Sequence, residues 1–332
     1  MSDRLTVEPL FGLANRIQVV ESALALAVTL DRPFGLIWNL NRELNCRFDD
    51  LFVVPPGIAS LDQPIRGRFR LYSGPSVRIG TTLAPRTPTP QLTAHGPVSA
   101  VGLGGLRRLN WWLLADRQHH RAIYENEMVQ LHDAGFDFET LRSCPSVFIR
   151  AFLRFYDGQS PAPALWPAPE IEAQIRRQVA MFPKVVVGVH VRRTDHQRSM
   201  RISTTERFGA AMREELALEP LTHFFLSTDD PEEESVLGNL FPGRILIRPK
   251  RTLDRNDPAA IQDALVDLHC LARTRKVLGS FASSFSRLAA RLGGGELVVV
   301  GAGADSPQGQ GGPIGTRSAV PSAAETPARG GS

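Results

Sequence analysis

Apolar and polar positions follow a strand-helix-strand pattern in the first fifty residues. Residues 5–9 and 34–38 are short apolar runs typical of strands. Between them, about residues 16–30, apolar side chains recur at the spacing that buries one face of a helix. Pro33 ends that helix, because proline disfavours helical geometry in the residue before it. The pattern predicts a β-α-β unit.

The next hundred residues are less regular. Proline and glycine recur through residues 53–105, which predicts long connections with few elements. Helices are predicted again at about 106–135 and 138–156. A second proline-rich passage, SPAPALWPAPE at 160–170, is typical of an interdomain linker. We therefore expect an N-terminal α/β domain over residues 1–168.

From residue 171 onward, helix and strand patterns alternate regularly, which predicts a parallel sheet covered on both faces. The predicted helices are 171–181, 205–217, 231–240, 258–272 and 283–292, and the predicted strands are 185–190, 223–227, 244–247, 276–278 and 296–300. We expect a Rossmann-like domain over residues 169–301. Residues 302–332 have almost no large apolar side chains and are predicted to form a disordered tail.

Composition agrees with a two-domain globular protein. The chain has 332 residues, of which 42% are hydrophobic and 22% charged. The longest apolar candidate, residues 23–30, is well short of the roughly 20 residues that span a bilayer. The N-terminus lacks the pattern of a secretory signal, so we expect a cytoplasmic protein without a transmembrane segment. Three widely spaced cysteines form neither a disulfide framework nor a zinc motif.

The basic residues are unusual, because only three of the 38 are lysines. Two explanations fit: codon usage in a GC-rich bacterial genome, and anion binding by guanidinium groups, whose planar fork matches phosphate geometry. The net charge is only +4 and the arginines are scattered, which argues against nucleic-acid binding.

The first candidate site residues follow the predicted strand 185–190. Ligands of parallel sheets bind at the carboxyl ends of the strands, and His190, Arg192, Arg193 and Asp195 lie there. Two adjacent arginines need an anionic partner. That partner is either a phosphate or carboxylate of a ligand, or Asp195 in a salt bridge at a domain interface.

Acidic residues form the second group of candidates. Asp229 and Asp230 follow the next strand, where one of them caps the helix that Pro231 begins and the other is surplus. Asp267 and His269 lie among apolar neighbours on a predicted helix, and a buried acid usually has a partner.

The third group is the serine turn, which we define as residues 279–286. Its hydroxyls and backbone N–H groups precede a predicted helix, where the helix dipole favours anions. Its candidates are Ser280, Ser283 and Ser284; ordinary helix capping is the alternative reading for each. Three strand ends of one parallel sheet thus present the arginine pair, the Asp229–Asp230 pair and the serine turn toward the same edge, and this conjunction favours an anion site.

The motifs HVRRTD, TDDP, DLH and GSFASSFSRLAARLG, in this order over residues 185–292, resemble those of the metal-independent GDP-fucose-dependent fucosyltransferases. They are most similar to the α-1,6-fucosyltransferases, which include the rhizobial nodulation-factor enzymes. The opening GLANRIQVVESALALA resembles the Gly-x-x-Asn segment of the same superfamily. The resemblance implies a GT-B fold, with two Rossmann-like domains facing across a cleft and the nucleotide sugar held mainly by the C-terminal one.

The resemblance also implies roles for individual residues. Arg192 matches an arginine that contacts the diphosphate, Asp267 an acid that helps to hold the nucleotide, and Ser283 a serine near the diphosphate. The expected donor-binding residues are Gly12, Asn15, Arg16, His190, Arg192, Asp229, Asp230, Asp267, His269, Ser280, Ser283 and Ser284, and the expected catalytic residues are Arg192, Arg193, Asp195, Glu206 and Asn15.

The implied reaction is inverting and needs no metal. Fixed cations stabilise the charge that develops on a departing diphosphate, and the chain has no Asp-x-Asp motif for a divalent ion. The α-1,6 enzymes carry a glutamate soon after the arginine motif, whereas this chain has none before Glu206. Glu206, Asp195 or Asn15 assists the acceptor hydroxyl, or the reaction is dissociative enough to need little base.

Two rival functions stay open. One is a GT-B glycosyltransferase with a different nucleotide sugar, and the other is a non-catalytic nucleotide-sugar or polyanion binder. The expected acceptor is a glycan or a glycolipid-linked precursor. Trp111 and Trp112 stack on a sugar or are buried; with Arg107 and Arg108 they are also candidates for a peripheral membrane contact.

Overall fold

The computed structural model describes residues 4–64, 121–158, 165–193 and 197–302. Within these ranges the chain forms two five-stranded parallel sheets and a two-stranded antiparallel ribbon. Helices pack on the sheets, because the long crossover connections between parallel strands usually contain a helix. The predicted α/β fold with two parallel sheets is confirmed.

The N-terminal sheet has the strand order β4-β2-β1-β6-β5, and every pairing in it is parallel. Its strands are β1 (Arg4–Pro9), β2 (Phe34–Ile37), β4 (Ile58–Asp62), β5 (Arg121–Ile123) and β6 (Ser146–Ala151). The helical elements of this half are α1 (Leu13–Leu30), α2 (Glu125–Asp133) and a 3-10 helix over Phe138–Ser143.

The C-terminal sheet has the order β10-β9-β8-β11-β12, again with parallel pairings throughout. Its strands are β8 (Val186–Val191), β9 (His223–Thr228), β10 (Ile245–Ile247), β11 (Lys276–Gly279) and β12 (Glu296–Val299). The helices are α3 (Pro169–Ala180), α4 (Gln197–Ile202), α5 (Thr205–Leu218), α6 (Pro231–Leu240), α7 (Pro258–Leu271) and α8 (Ser284–Gly293). The predicted alternation of strands and helices in this half is confirmed.

The helix predicted over 138–156 is wrong. The structure has the 3-10 helix there, followed by β6, which lies in the middle of the sheet between β1 and β5. A short buried apolar run such as SVFIRA has the same pattern in a central strand and in a buried helix. Pairing with β1 on one side and β5 on the other decides for the strand. Strand β4 lies where the sequence analysis predicts a connection, and strand β5 lies within the helix predicted over 106–135.

The linker predicted at 160–170 is partly structured. Residues 159–164 lie outside the described ranges, but β7 (Trp166–Pro167) pairs with β3 (Phe52–Val53) to form the antiparallel ribbon. Pro169 is the first residue of α3, a position that needs no free N–H. The sequence prediction treated the prolines of this passage as breakers, whereas Pro167, in the two-stranded ribbon, and Pro169, at the start of α3, occupy places where proline is tolerated.

Helix α1 joins the two halves. It is long and apolar enough to span a membrane, but 78% of that stretch is buried inside the protein. It packs against α8, and one hydrophobic cluster runs continuously from the N-terminal sheet to α7 and α8. The predicted tail after residue 302 and the Arg107–Trp112 segment lie outside the described residues.

Candidate functional site

A cleft of about 690 Å³ opens where the carboxyl ends of both sheets meet. Residues that follow β1, β2 and β6 line one wall, and residues that follow β8, β9, β10 and β11 line the other, together with α7 and α8. The lining includes Phe11, Gly12, Asn15, Glu43, Phe152, His190, Arg192, Asp229, Lys250, Arg255, Asp263, Asp267, Ala282, Ser284, Phe285 and Arg287. Ligands of open parallel sheets bind at this position.

Two lining residues have left-handed backbone conformations. Phe11 has φ 64° and Ala282 has φ 56°, one on each wall of the cleft. This conformation costs free energy for residues other than glycine, and such residues concentrate at functional sites. Phe11 also lies against Phe152, with 5.0 Å between the ring centroids. The two rings give the N-terminal wall an aromatic surface.

The backbone around Arg192 is held by Ser280. The Arg192 amide donates to Ser280 Oγ at 2.9 Å, and the same hydroxyl lies 3.2 Å from the carbonyl of His190, to which it donates. Arg192 is half-buried and lines the cleft. Ser280 is buried and does not line the cleft, so it positions the arginine loop, which we define as Arg192 and Arg193, from beneath the cleft.

His190 is a buried support for the serine turn. Its Nδ1 lies 2.8 Å from Ser286 Oγ and 3.4 Å from Ser283 Oγ, and its ring stacks on Phe285 at 4.7 Å. Gly279 allows Ser286 to pack close to the end of β11, because a Cβ on residue 279 would lie 2.5 Å from the Cβ of Ser286. Burial lowers the pKa of His190 from 6.5 to about 4, so the ring is neutral near pH 7.

We expect acid to destabilise the protein through its buried histidines. Burial also lowers the pKa of His269 to about 4. Between pH 6.5 and 4, these two histidines bind protons in the unfolded chain but stay neutral in the folded chain. Stability therefore falls between pH 6.5 and 4, by up to about 1.4 kcal/mol per pH unit for each histidine. Urea unfolding at a series of pH values should show a shallower decline for His269→Gln; an unchanged decline would contradict the assignment.

Arg193 points away from the cleft. Its Nε donates to Glu233, its Nη1 donates to the carbonyl of Ser203 at 2.8 Å, and its Nη2 lies 3.2 Å from Thr205 Oγ1. Both Arg193 and Glu233 are buried. The two adjacent arginines thus have different surroundings. Arg192 faces the cleft, and Arg193 forms a buried ion pair with Glu233 of α6.

The paired aspartates after β9 also differ in position. Asp230 caps α6 by accepting from the Glu232 amide at 2.9 Å. Asp229 lines the cleft, accepts from the Arg193 amide at 2.8 Å, and has Oδ2 3.6 Å from Arg255. Asp229 is therefore the surplus carboxylate that the sequence analysis expected.

Asp267 belongs to a buried charge network at the cleft floor. Its Oδ2 accepts from Ser227 at 3.0 Å, and its Oδ1 accepts from Arg248 Nε at 2.9 Å. Arg248 also donates to Asp263 Oδ1 at 3.2 Å. Burial raises the pKa of Asp267 although Arg248 opposes this. Burial acts in the same direction on Asp263, but the hydrogen bonds from Arg251 and the charges of Arg248 and Arg251 together outweigh it and lower the pKa of Asp263.

The serine turn connects the two walls. Ser283 caps α8 by accepting from the Ser286 amide at 3.2 Å. Ser284 Oγ donates to Asn15 Oδ1 at 2.8 Å, and Asn15 Nδ2 donates to the carbonyl of Phe152 at 2.6 Å. Both ends of the Asn15 amide are thereby occupied, and Gly12, beside it, leaves open space on the cleft side.

Several predicted site residues lie elsewhere. Arg16 is fully buried and donates to the carbonyls of Phe11 and Asn39. His269 lies near Glu172 of α3, on the far side of α7. Glu206 is exposed on α5 and does not line the cleft. Asp195 lies outside the described residues.

The sequence analysis missed several charged residues of the cleft. Lys250 and Arg255 follow β10; Lys250 pairs with Glu234. Arg287 lies on the first turn of α8, and Glu43 follows β2. Of the lining carboxylates, Glu43 is the one whose side chain has no hydrogen bond or ion pair in the described part of the chain. For Lys250, Arg255 and Glu43, the position after a strand was the feature of the sequence from which a place in the cleft could have been predicted.

No protein-family profile and no curated protein matches this chain. Solved structures do match. NodZ alpha-1,6-fucosyltransferase soaked with GDP-fucose is 18% identical, with a TM-score of 0.58, over 90% of this chain and 95% of that one. The NodZ fucosyltransferase from Bradyrhizobium is 18% identical, with a TM-score of 0.55, over 90% of this chain and 96% of that one. An Arabidopsis thaliana FUT1 variant in complex with GDP is 14% identical, with a TM-score of 0.53, over 90% of this chain and 70% of that one. The chain therefore shares the two-sheet α/β fold of these proteins.

Proposed function

We propose that this protein is an inverting, metal-independent glycosyltransferase of the GDP-fucose fucosyltransferase superfamily. It transfers fucose from GDP-fucose to a hydroxyl of a glycan or glycolipid-linked acceptor in the bacterial cytoplasm. One observation carries the proposal. Arg192, Asp267 and the serine turn meet at one sheet edge around a cleft, in a fold shared with NodZ, whose solved structure was soaked with GDP-fucose.

The donor diphosphate lies at the N-terminus of α8. The free N–H groups of the first helical turn and the positive end of the helix dipole attract phosphate oxygens there. Arg192 reaches the same region from the end of β8, since Ser280 ties its amide to the serine turn at 2.9 Å. Asp267, on the floor of the cleft, serves the nucleotide as the resemblance implies.

The reaction requires charge stabilisation at the leaving group. As the bond between the sugar C1 and the phosphate oxygen breaks, its electron pair passes to the diphosphate and positive charge develops on the sugar ring. Arg192 stabilises the departing diphosphate without reorganising, which is the main contribution of a preorganised cation. The acceptor hydroxyl attacks the opposite face of C1 and forms the new C1–O bond, which inverts the anomeric centre. The proton of that hydroxyl passes to water in the cleft as the bond forms.

The acceptor binds against the N-terminal wall. Phe11 and Phe152 present an aromatic surface there, and an aromatic ring packs on the apolar face of a sugar while leaving its hydroxyls free. Phe11 is 44% exposed, which makes its ring available to a ligand. This wall follows strands of the sheet that does not carry Arg192, so donor and acceptor enter from different halves of the chain.

Titration calorimetry with GDP-fucose, GDP, UDP and ADP, with EDTA present, tests the proposal. We expect binding of GDP and GDP-fucose that exceeds binding of UDP and ADP at least tenfold. A preference for UDP or ADP would support a glycosyltransferase with another nucleotide sugar. Equal binding of all four, weakening steeply with salt, would support the polyanion binder, which the basic residues Arg192, Lys250, Arg255 and Arg287 of the cleft favour.

A further inference from the structure

Arg287 differs from Lys250 and Arg255, two other cations of the cleft, which have acidic neighbours. Lys250 pairs with Glu234, and Arg255 lies 3.6 Å from Asp229. The side chain of Arg287 lines the cleft but makes no hydrogen bond or ion pair with any residue in the described ranges. This cation has an open side toward the cleft and no counter-charge from the residues that the structure describes.

The surroundings of Arg287 make an anionic ligand favourable. The side chain of Arg287 is exposed along the cleft, and partial burial by the surrounding protein lowers its pKa. A cation that has lost part of its hydration without gaining a protein partner is destabilised, and an oxyanion in the cleft restores the lost interaction. Guanidinium groups bind phosphate oxygens in a bidentate, charge-assisted geometry.

The position of Arg287 on α8 indicates which anion it meets. It lies four residues after the cap Ser283 and three after Ser284, so the three side chains share one face of the helix. Long helical side chains lean toward the helix N-terminus and cover the preceding turn. The guanidinium therefore projects toward the N–H groups and hydroxyls of the serine turn. An anion bound at that turn lies within its reach.

We propose that Arg287 is a second diphosphate-binding cation, which contacts the phosphate oxygens of the nucleotide donor together with Arg192. This inference rests on the proposed function, because the anion is the diphosphate of the donor. Arg192 comes from the end of β8 and Arg287 from the helix after β11, so two neighbouring strands of one sheet each supply one fixed positive charge. Their combined charge equals that of a divalent ion.

The test compares GDP affinity in the full chain carrying Arg287→Gln, Arg287→Lys or Arg177→Gln. Arg177 is the matched control, because it is exposed on α3 and also lacks a partner among the described residues. We expect Arg287→Gln to weaken GDP binding at least tenfold, Arg287→Lys to weaken it less, and Arg177→Gln to leave it unchanged. The salt dependence of GDP binding should also become shallower in Arg287→Gln, since one phosphate-binding cation is lost.

Several results would overturn the inference. Equal GDP affinity of Arg287→Gln and the unchanged protein overturns it and leaves the proposed function intact. So does weaker GDP binding with an unaltered salt dependence, because that pattern reports a structural effect of the substitution. A wild-type chain that binds no GDP overturns both the proposed function and the role of Arg287. Circular dichroism of each variant verifies that the fold is retained.

Discussion

Replacing Arg192 by alanine should slow fucosyl transfer by about 10²- to 10³-fold, the usual cost of removing one preorganised electrostatic contact from a transition state. Arg192 lines the cleft, and its backbone is fixed by Ser280 at 2.9 Å. The loss should appear mainly in kcat, because the charge on the diphosphate grows as the glycosidic bond breaks. The measurement is initial-rate kinetics with GDP-fucose and an acceptor identified by screening.

Two controls separate this effect from damage to the fold. Ser280→Ala removes the hydroxyl that holds the arginine loop and keeps the guanidinium, so it should give a smaller loss than Arg192→Ala. Arg177→Ala removes an exposed arginine outside the cleft and should keep the full rate. If Arg192→Ala retained more than a third of the wild-type kcat, Arg192 would not be the cation that stabilises the leaving group.

Replacing Arg193 by alanine should destabilise the fold by about 3–5 kcal/mol, the cost of breaking a buried ion pair. Arg193 and Glu233 are 8% and 7% exposed, and the substitution leaves the carboxylate buried without its cation. The carbonyl of Ser203 loses a hydrogen bond as well. Urea unfolding monitored by circular dichroism measures the change in the free energy of unfolding.

A double variant makes this prediction specific to the ion pair. Arg193→Met combined with Glu233→Leu replaces both charges by apolar groups, and such replacements are often neutral or stabilising. The double variant should therefore be more stable than Arg193→Ala. If Arg193→Ala unfolded like the wild type but lost GDP binding, the side chain would act in the cleft, contrary to its position in the structure.

Helix ends and buried strands of the C-terminal half carry local signals, which explains why their predictions succeeded. Asp230, Asp257 and Ser283 each cap a helix with a side-chain hydrogen bond, and Pro231 and Pro258 open the helices that follow. Strands such as VVGVHV are buried along their whole length, so they read as continuous apolar runs. These features depend on neighbouring residues and are visible in the sequence.

In the N-terminal half the decisive contacts are distant in sequence. Strand β6 pairs with β1, more than 130 residues earlier in the chain, and no local pattern distinguishes its apolar run from a buried helix. The same holds for the ribbon between Phe52–Val53 and Trp166–Pro167. Such elements depend on pairing partners that are adjacent only after folding.

The sequence by itself determined the order of chemistry along the C-terminal sheet: arginines after one strand, aspartates after the next, and serines after a third. Parallel topology brings these strand ends together whatever the details of packing. Tertiary structure decided which side chain of each group faces the cleft. Arg193 and Arg16 turn toward buried partners, whereas Arg287 has no described partner and faces the cleft. The reason is physical: a buried charged side chain lies where its desolvation is compensated, and the compensating groups come from other parts of the chain.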